Sequence, residues 1–416
     1  MMDFIGCKNM KEREGMDASF LKGIRVIALT WVWAGPWMGA VLADMGAEVI
    51  KIETNQRIDA QRIGKTYKGD RRDLNRAQFN ITNRGIKSCT LNLKHSEGVE
   101  IFKQLVKVSD VVITNFAPRV LPNLGLDYTA LTEVKPNIIL VSLPAFGSTG
   151  PDKDYVSYAH TIEAAGGFNA SFGYPGGEPI LSGTYPADPI GSMYGVVGMI
   201  GALYYRDETG KGQHVDIAQN EGVTALVPEI TMEYVMNGRI RRPMGNRDEI
   251  KAPHGCYPCK GEDKWVAIAV ATDTEWKSLC RVMGNPDWSI DDKFLDQFSR
   301  WQNQDELNRL ISGWTKNFTH YEVMHMLQRV GVSAGPSFNV EEVINDPHIK
   351  KRGAFIEQKH PIAGKTTVYR SPWKSALTAS NPPAPCIGEH NDYIFKELLG
   401  MTDSKIVELI DQEVIY

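Results

Sequence analysis

Over its first half the chain repeats one pattern, a short apolar run followed by a helix-length amphipathic stretch, and this alternation restricts the fold more than any other feature. Residues 24–30, 47–52, 111–114, 137–143 and 214–218 are the apolar runs, and stretches such as 36–45 and 96–108 carry helical spacing between them. A strand, a crossover helix and a second strand place the two strands parallel. A parallel sheet must be covered on both faces, so the expected class is α/β.

Further along, residues 285–329 shift to charged, tryptophan-containing amphipathic helices, clearest over Asp305 to Trp314, and imply a second, more helical domain. The stretch Asn381-Pro-Pro-Ala-Pro385 then leads into a final helical segment ending near Tyr416. With 416 residues and 42% apolar content the chain can bury large cores, and a net charge of -4 argues against a polyanion binder. Small molecules are the expected partners, with no nucleic acid and no membrane. No window holds 18 uninterrupted apolar residues and residues 1–14 are charged without an apolar core, so a cytoplasmic protein is expected. Six scattered cysteines, Cys7, Cys89, Cys256, Cys259, Cys280 and Cys386, fit reduced thiols. Cys256 and Cys259 with His254 alone lack a fourth zinc ligand, so no metal site is expected and the pair is read as a turn into a strand at 265–270.

The run Thr184-Tyr185-Pro186-Ala187-Asp188-Pro189 sets a lone carboxylate at the mouth of an apolar, glycine-studded helix. Pro189 suits a first helical position, which puts Asp188 at the N-cap of a helix reaching about Tyr205, where the positive helix end favours the ionised carboxylate. Gly191, Gly195, Gly198 and Ala202 share one face of that helix, which something must approach closely. A structural cap and a nucleophile both fit these local facts. The first strand and turn, from Val26 to Pro36, lack Gly-x-Gly-x-x-Gly, and no phosphate-binding Gly-x-x-x-x-Gly-Lys-Ser/Thr occurs anywhere. Hydride transfer and P-loop chemistry are therefore unsupported, while a ligand at the carboxyl ends of the strands is expected from architecture alone.

Several separate segments converge on one family. Ala34-Gly-Pro36, Leu42-Ala-Asp-Met-Gly-Ala-Glu-Val-Ile-Lys-Ile-Glu53, Thr114-Asn-Phe-Ala-Pro-Arg119, Phe146-Gly-Ser-Thr-Gly-Pro151, Ala187-Asp188 and Thr209-Gly-Lys-Gly-Gln-His-Val-Asp216 together resemble the class III coenzyme A transferases. Asn246-Arg247, Pro253-His-Gly255, Asn345-Asp-Pro-His348, Arg352-Gly353 and Ile387-Gly-Glu-His-Asn391 continue the likeness from about residue 20 to the end. The first eighteen residues are an extension that it does not explain.

The resemblance implies an acyl-CoA:carboxylate CoA-transferase with Asp188 as nucleophile, working through an acyl-aspartyl anhydride and an aspartyl-CoA thioester. Coenzyme A is then part of substrate and product, and no permanently bound cofactor is expected. The matching segments suggest Val32, Trp33, Ala34, Asn115, Phe116 and Arg119 around CoA, with Arg84 or Lys87 on its phosphates. Trp31 and Tyr158 fall in the substrate pocket, and Gly245 with Asn246 supplies the oxyanion donors. The implied fold is a Rossmann-like large domain made of residues 19–225 and 341–416 around a smaller α+β domain at 226–340, in an interlocked homodimer or a hetero-oligomer with a related subunit. The tryptophans near the site, together with a likeness to transferases that move CoA from succinyl-CoA to aryl-substituted succinates, suggest a bulky or aromatic acid. Two alternatives stand beside this reading. One is racemisation of acyl-CoA esters, for which Tyr158 occupies the position of the racemase histidine and His160 is the nearest substitute base. The other is a non-catalytic partner subunit, against which the retained Asp188 argues.

Overall fold

The computed structural model describes residues 19–63, 77–373 and 382–416, so the extension at 1–18, Cys7 and Asn381 lie outside the described residues. Six parallel strands form the central sheet: β1 (Arg25–Leu29), β2 (Glu48–Glu53), β3 (Lys87–Thr90), β4 (Val111–Thr114), β5 (Ile139–Ser142) and β6 (His214–Asp216). Their order is β3-β2-β1-β4-β5-β6, so the winding reverses between β1 and β4. The strand β3 is not foreseen from the pattern of apolar runs. It is nonetheless an edge strand with three buried residues, and the hydroxyl of Ser88 donates to Glu53 at 2.6 Å.

Alternation along the strands divides two cores. Val26, Ala28, Val111, Ile113, Ile139 and Val141 face helices α1 (Ala34–Asp44) and, further along the chain, Ala187–Thr209. Ile27, Leu29, Ile50, Ile52 and Val112 face helix α2 (Ser96–Lys107) and the C-terminal segment through Ile394, Phe395, Leu409 and Ile415. The end of the chain thus closes the second face. Parallel strands buried on both sides are what doubly wound sheets require.

The described chain divides into two compact units. One takes in the chain to Asn169, Leu181–Met236 and Ala354–Tyr416, and the other Ala170–Ile180 and Asn237–Gly353. The second unit thus takes in 237–353 together with the detour at 170–180. That detour is tied by the Gly245 N–H, which donates to the Gly173 carbonyl at 2.9 Å. Within this unit β7 (His254–Pro258), β8 (Trp265–Ala269) and β9 (Ser333–Ser337) form an antiparallel sheet in that order. Tyr257, Val266, Ile268, Leu279, Leu307, Ile311 and Leu327 make its core. Cys256 lies inside β7, a strand where sequence suggested a turn, and Cys89, Cys256, Cys259 and Cys280 are free thiols.

Candidate active site

The site grows from the point where the sheet winding reverses. The Asn115 side chain, just past β4, accepts the Trp31 N–H at 3.0 Å and donates to the Trp31 carbonyl at 2.8 Å, binding the chain beyond β1 to the chain beyond β4. Gly35 must approach this junction, because a Cβ there would lie 2.5 Å from Thr30 Cγ2 and 2.8 Å from Asn115 Oδ1. Val32 holds φ at 64°, a conformation costly for a β-branched residue. Its N–H donates to Asp59 at 3.2 Å, and Asp59 is itself held by the buried Lys51 at 2.6 Å.

The second component is Asp188. Together with α3 (Ala159–Ala165), helix α4 (Ala187–Thr209) brings it to this junction, and α4 starts one residue before Asp188 and extends to Thr209. Asp188 therefore lies in the first turn and not at the N-cap, since Pro186 takes the cap position. The Ala34 N–H, first in α1, donates to the Asp188 carboxylate, and the Ser192 hydroxyl sits 2.6 Å from the Ala34 carbonyl and 2.7 Å from that of Asp188. Two helix starts therefore point at one carboxylate. Burial nevertheless outweighs them: the Asp188 pKa is pushed up to about 7, with the Ala34 bond pulling it down and the negative Glu163 pushing it further up. The carboxylate held firmly ionised by its helix end, as sequence suggested, is thus corrected by desolvation.

A cavity of about 210 Å³ opens on Asp188 and is lined by Trp31, Val32, Asn115, Phe116, Tyr155, Val156, Tyr158, Ile162 and Gln219 among others. Tyr158 is 70% exposed beside it, and Trp31 meets Phe116 edge to face at 5.5 Å. A second cavity, of about 350 Å³, lies at the carboxyl ends of β1 to β4 and contains three cations, Arg57, Lys94 and Arg119. Trp31, Phe116 and Ala117 line both, so the two cavities adjoin. Arg57 stacks over the Trp31 ring at 4.5 Å, and Arg119 donates to the Asp154 carbonyl at 2.7 Å.

The structure thus brings together Asp188, Val32, Asn115, Phe116, Arg119, Trp31 and Tyr158, and sorts the remaining residues differently. Ala34 is fully buried and acts through its backbone on Asp188. Trp33 packs on Tyr185, ring centroids 5.6 Å apart. Arg84 is buried in an ion pair with Asp44 and donates to the Ile81 carbonyl at 2.7 Å, so it has no free face for a phosphate. Lys87 opens β3, at the amino end of a parallel sheet whose ligand edge is the carboxyl end, and its charge faces Glu48 at 3.7 Å. Gly245 and Asn246 belong to the middle unit, where the Gly245 N–H is already donated to Gly173 and the Asn246 carbonyl is 2.8 Å from His254 Nδ1. Arg57 and Lys94 escaped the sequence reading. The signal for both was position: each follows the carboxyl end of a strand.

A doubly wound sheet with a largely buried carboxylate opening onto one cavity beside a second, cation-lined one is the arrangement of an α/β enzyme. The family model described as CoA-transferase family III matches residues 21–391, and the chain belongs to that family. It is 33% identical over 397 residues to the succinyl-CoA–D-citramalate CoA-transferase of Chloroflexus aurantiacus, covering 95% of this chain and 98% of that protein. It is also 33% identical over 402 residues to the beta subunit of the succinyl-CoA–L-malate CoA-transferase of the same organism, covering 95% and 98%. Among solved structures, a CAIB/BAIF family protein from Brucella suis superposes with a TM-score of 0.84 at 31% identity, over 92% of this chain and all of that one. The enzyme is a CoA-transferase. Among the described residues no helix is long and apolar enough to cross a membrane.

Proposed function

We propose that the chain moves CoA from a donor thioester, succinyl-CoA, to an acceptor carboxylic acid through covalent states of Asp188. The observation that carries this reading is the Asp188 carboxylate itself, raised to about 7 and opening onto a cavity. A more basic carboxylate is a better nucleophile, and near neutral pH a large fraction is ionised. An Asp188 oxygen bonds to the thioester carbonyl carbon as the C–S bond breaks, and CoA leaves as thiolate. The thiolate attacks the aspartyl carbonyl of the anhydride, expelling the donor acid and leaving aspartyl-CoA. The acceptor carboxylate attacks that thioester, forming a new anhydride and thiolate, and thiolate attack on the acceptor acyl carbon frees Asp188. Every step exchanges one activated acyl group for another, so the thioester energy is conserved.

The cation-lined cavity suits the phosphates of CoA, with Arg57, Lys94 and Arg119 in reach of its rim. The cavity on Asp188 is lined by aromatic and apolar side chains, which supports an acceptor with an apolar or aromatic body, including an aryl-substituted succinate. Assembly of two chains is part of the proposal: Tyr194, Val197 and Tyr204 of α4 are 44%, 65% and 70% exposed, and the helix Pro228–Asn237 buries none of its residues. A relative that is one subunit of a larger transferase supports pairing with itself or with a related chain. The free thiols support a reducing, cytoplasmic compartment.

The test is turnover of succinyl-CoA with a panel of acids, with new CoA esters read by mass spectrometry and mass by light scattering. The reading expects product with wild type and none with Asp188→Asn. Equal turnover of short aliphatic acids with aryl-succinates inert would overturn the acceptor assignment.

A further inference from the structure

Glu163 is a carboxylate that the transfer chemistry leaves unused. Its side chain on α3 has no exposure at all. One oxygen, Oε2, accepts the Ser182 hydroxyl at 2.8 Å and lies 4.0 Å from His160 Nδ1, while Oε1 has no hydrogen-bond partner among the described residues. A buried carboxylate supported so sparingly is costly, and a glutamine there would satisfy the same hydroxyl without the charge.

Its location gives the reason. Ile162 and Ala187 pack in one small apolar cluster with Ala159 and Val223, which draws their next neighbours, Glu163 and Asp188, into the same part of the unit. Helix α3 also grips the turn before Asp188 at two places. Ser182 is bound to Glu163, and the Tyr185 ring packs on His160 with centroids 4.4 Å apart. Tyr185 holds φ at 57°, so this turn keeps a conformation that needs support from outside. The titratable groups gathered here are His160 on the same helix, Tyr185 from the turn and Asp188 from α4. The neighbouring helix Gln219–Thr224 brings the neutral Gln219 and Asn220, with Glu221 turned to the surface.

We propose that Glu163 is a positioning residue for the transfer reaction, anchoring the turn that carries Asp188 through Ser182 and facing the nucleophile with a like charge that acylation relieves. The inference rests on Asp188 acting as the nucleophile. When an Asp188 oxygen takes the acyl group and the C–S bond breaks, the negative charge departs with the CoA sulfur. The aspartyl side chain is then neutral, in the anhydride and in the aspartyl-CoA thioester alike. A fixed anion nearby raises the free carboxylate relative to both covalent states.

The experiment compares wild type with Glu163→Gln, Glu163→Asp and Ser182→Ala. The first readout needs no turnover: carbodiimide couples to protonated carboxyls, and peptide mass spectrometry follows labelling of Asp188 against pH. Removing the like charge lets Asp188 ionise in more acid solution, so the midpoint falls by about half to one pH unit in Glu163→Gln and stays in place in Glu163→Asp and Ser182→Ala. The second readout is kinetic: kcat falls roughly tenfold in Glu163→Gln, with KM for the CoA donor within about twofold. A midpoint that does not move in folded Glu163→Gln overturns the electrostatic role, and wild-type kcat in Ser182→Ala overturns the tether. If Glu163→Gln does not fold, Ser182→Ala decides alone, with a fivefold or greater loss of kcat at an unmoved midpoint expected. A shifted midpoint in a protein that transfers no CoA, wild type included, counts against the transferase mechanism and leaves the placement of Glu163 standing.

Discussion

Replacing Asp188 with asparagine should abolish transfer and make the protein more stable, by an amount that depends on pH in a defined way. The folded protein holds the Asp188 pKa near 7 against an ordinary 3.8, chiefly through burial. The unfolded chain ionises at the ordinary value, so the folded state binds this proton more tightly. The penalty this carboxylate puts on folding is absent below the unfolded pKa, grows as pH rises from about 4 to 7, and levels off above the folded pKa. A shift of about three units corresponds to roughly 4 kcal/mol at pH 8, roughly 3 at pH 6 and under about 1 at pH 4. Asparagine keeps the shape and has no proton to lose. Thermal melts of the two proteins should therefore agree near pH 4 and diverge toward pH 8, with Asp188→Asn melting several degrees higher. A gap that is flat with pH, or a variant less stable than wild type at pH 8, would refute the argument that burial outweighs the two helix ends.

Arg57→Ala and Lys94→Ala should each raise KM for the acyl-CoA about tenfold while leaving kcat within threefold, because they line the cavity at the carboxyl edge of the sheet and not the one on Asp188. Arg84→Ala should do the reverse: it takes the ion-pair partner from the buried Asp44, leaving only neutral donors such as Ser371 among those described, and costs about 3 kcal/mol in denaturant unfolding, with KM unchanged in the folded fraction. Gly35→Ala forces a Cβ to within 2.5 Å of Thr30. It should lower stability by about 1–3 kcal/mol and reduce turnover by disturbing the Trp31–Asn115 junction, read by melting and steady-state kinetics.

Four interior strands and the edge strand β6 were legible because each falls in a short, largely apolar stretch between helix-length segments, whereas the order of the strands, and so the reversal of winding, came from the structure alone. The strand β3 was not, because Lys87-Ser-Cys-Thr90 carries polar residues whose partners come from distant segments: Glu53 for Ser88, and the Tyr416 carbonyl, 2.7 Å away, for Thr90. Asp188 stood out through its proline neighbours and its glycine-rich helix. Its ionisation was hidden, since a helix start is a local feature and desolvation is made by the rest of the fold. The cations show the same division. Arg84 and Arg57 look alike in sequence, and only strand direction and burial reveal that one is locked onto Asp44 while the other stands over Trp31 at the ligand edge. That residues 170–180 belong with 237–353 was not legible, because the hydrogen bond that ties them is to residue 245, far along the chain.

The central claim is that CoA passes through a covalent bond to Asp188. Mixing the purified protein with succinyl-CoA and hydroxylamine and mapping the peptides by mass spectrometry tests it directly, because hydroxylamine converts an activated aspartyl ester to a hydroxamate. The account predicts a hydroxamate confined to Asp188, dependent on the thioester and absent in Asp188→Asn. Turnover with no modified Asp188, or modification at another carboxylate, would contradict it.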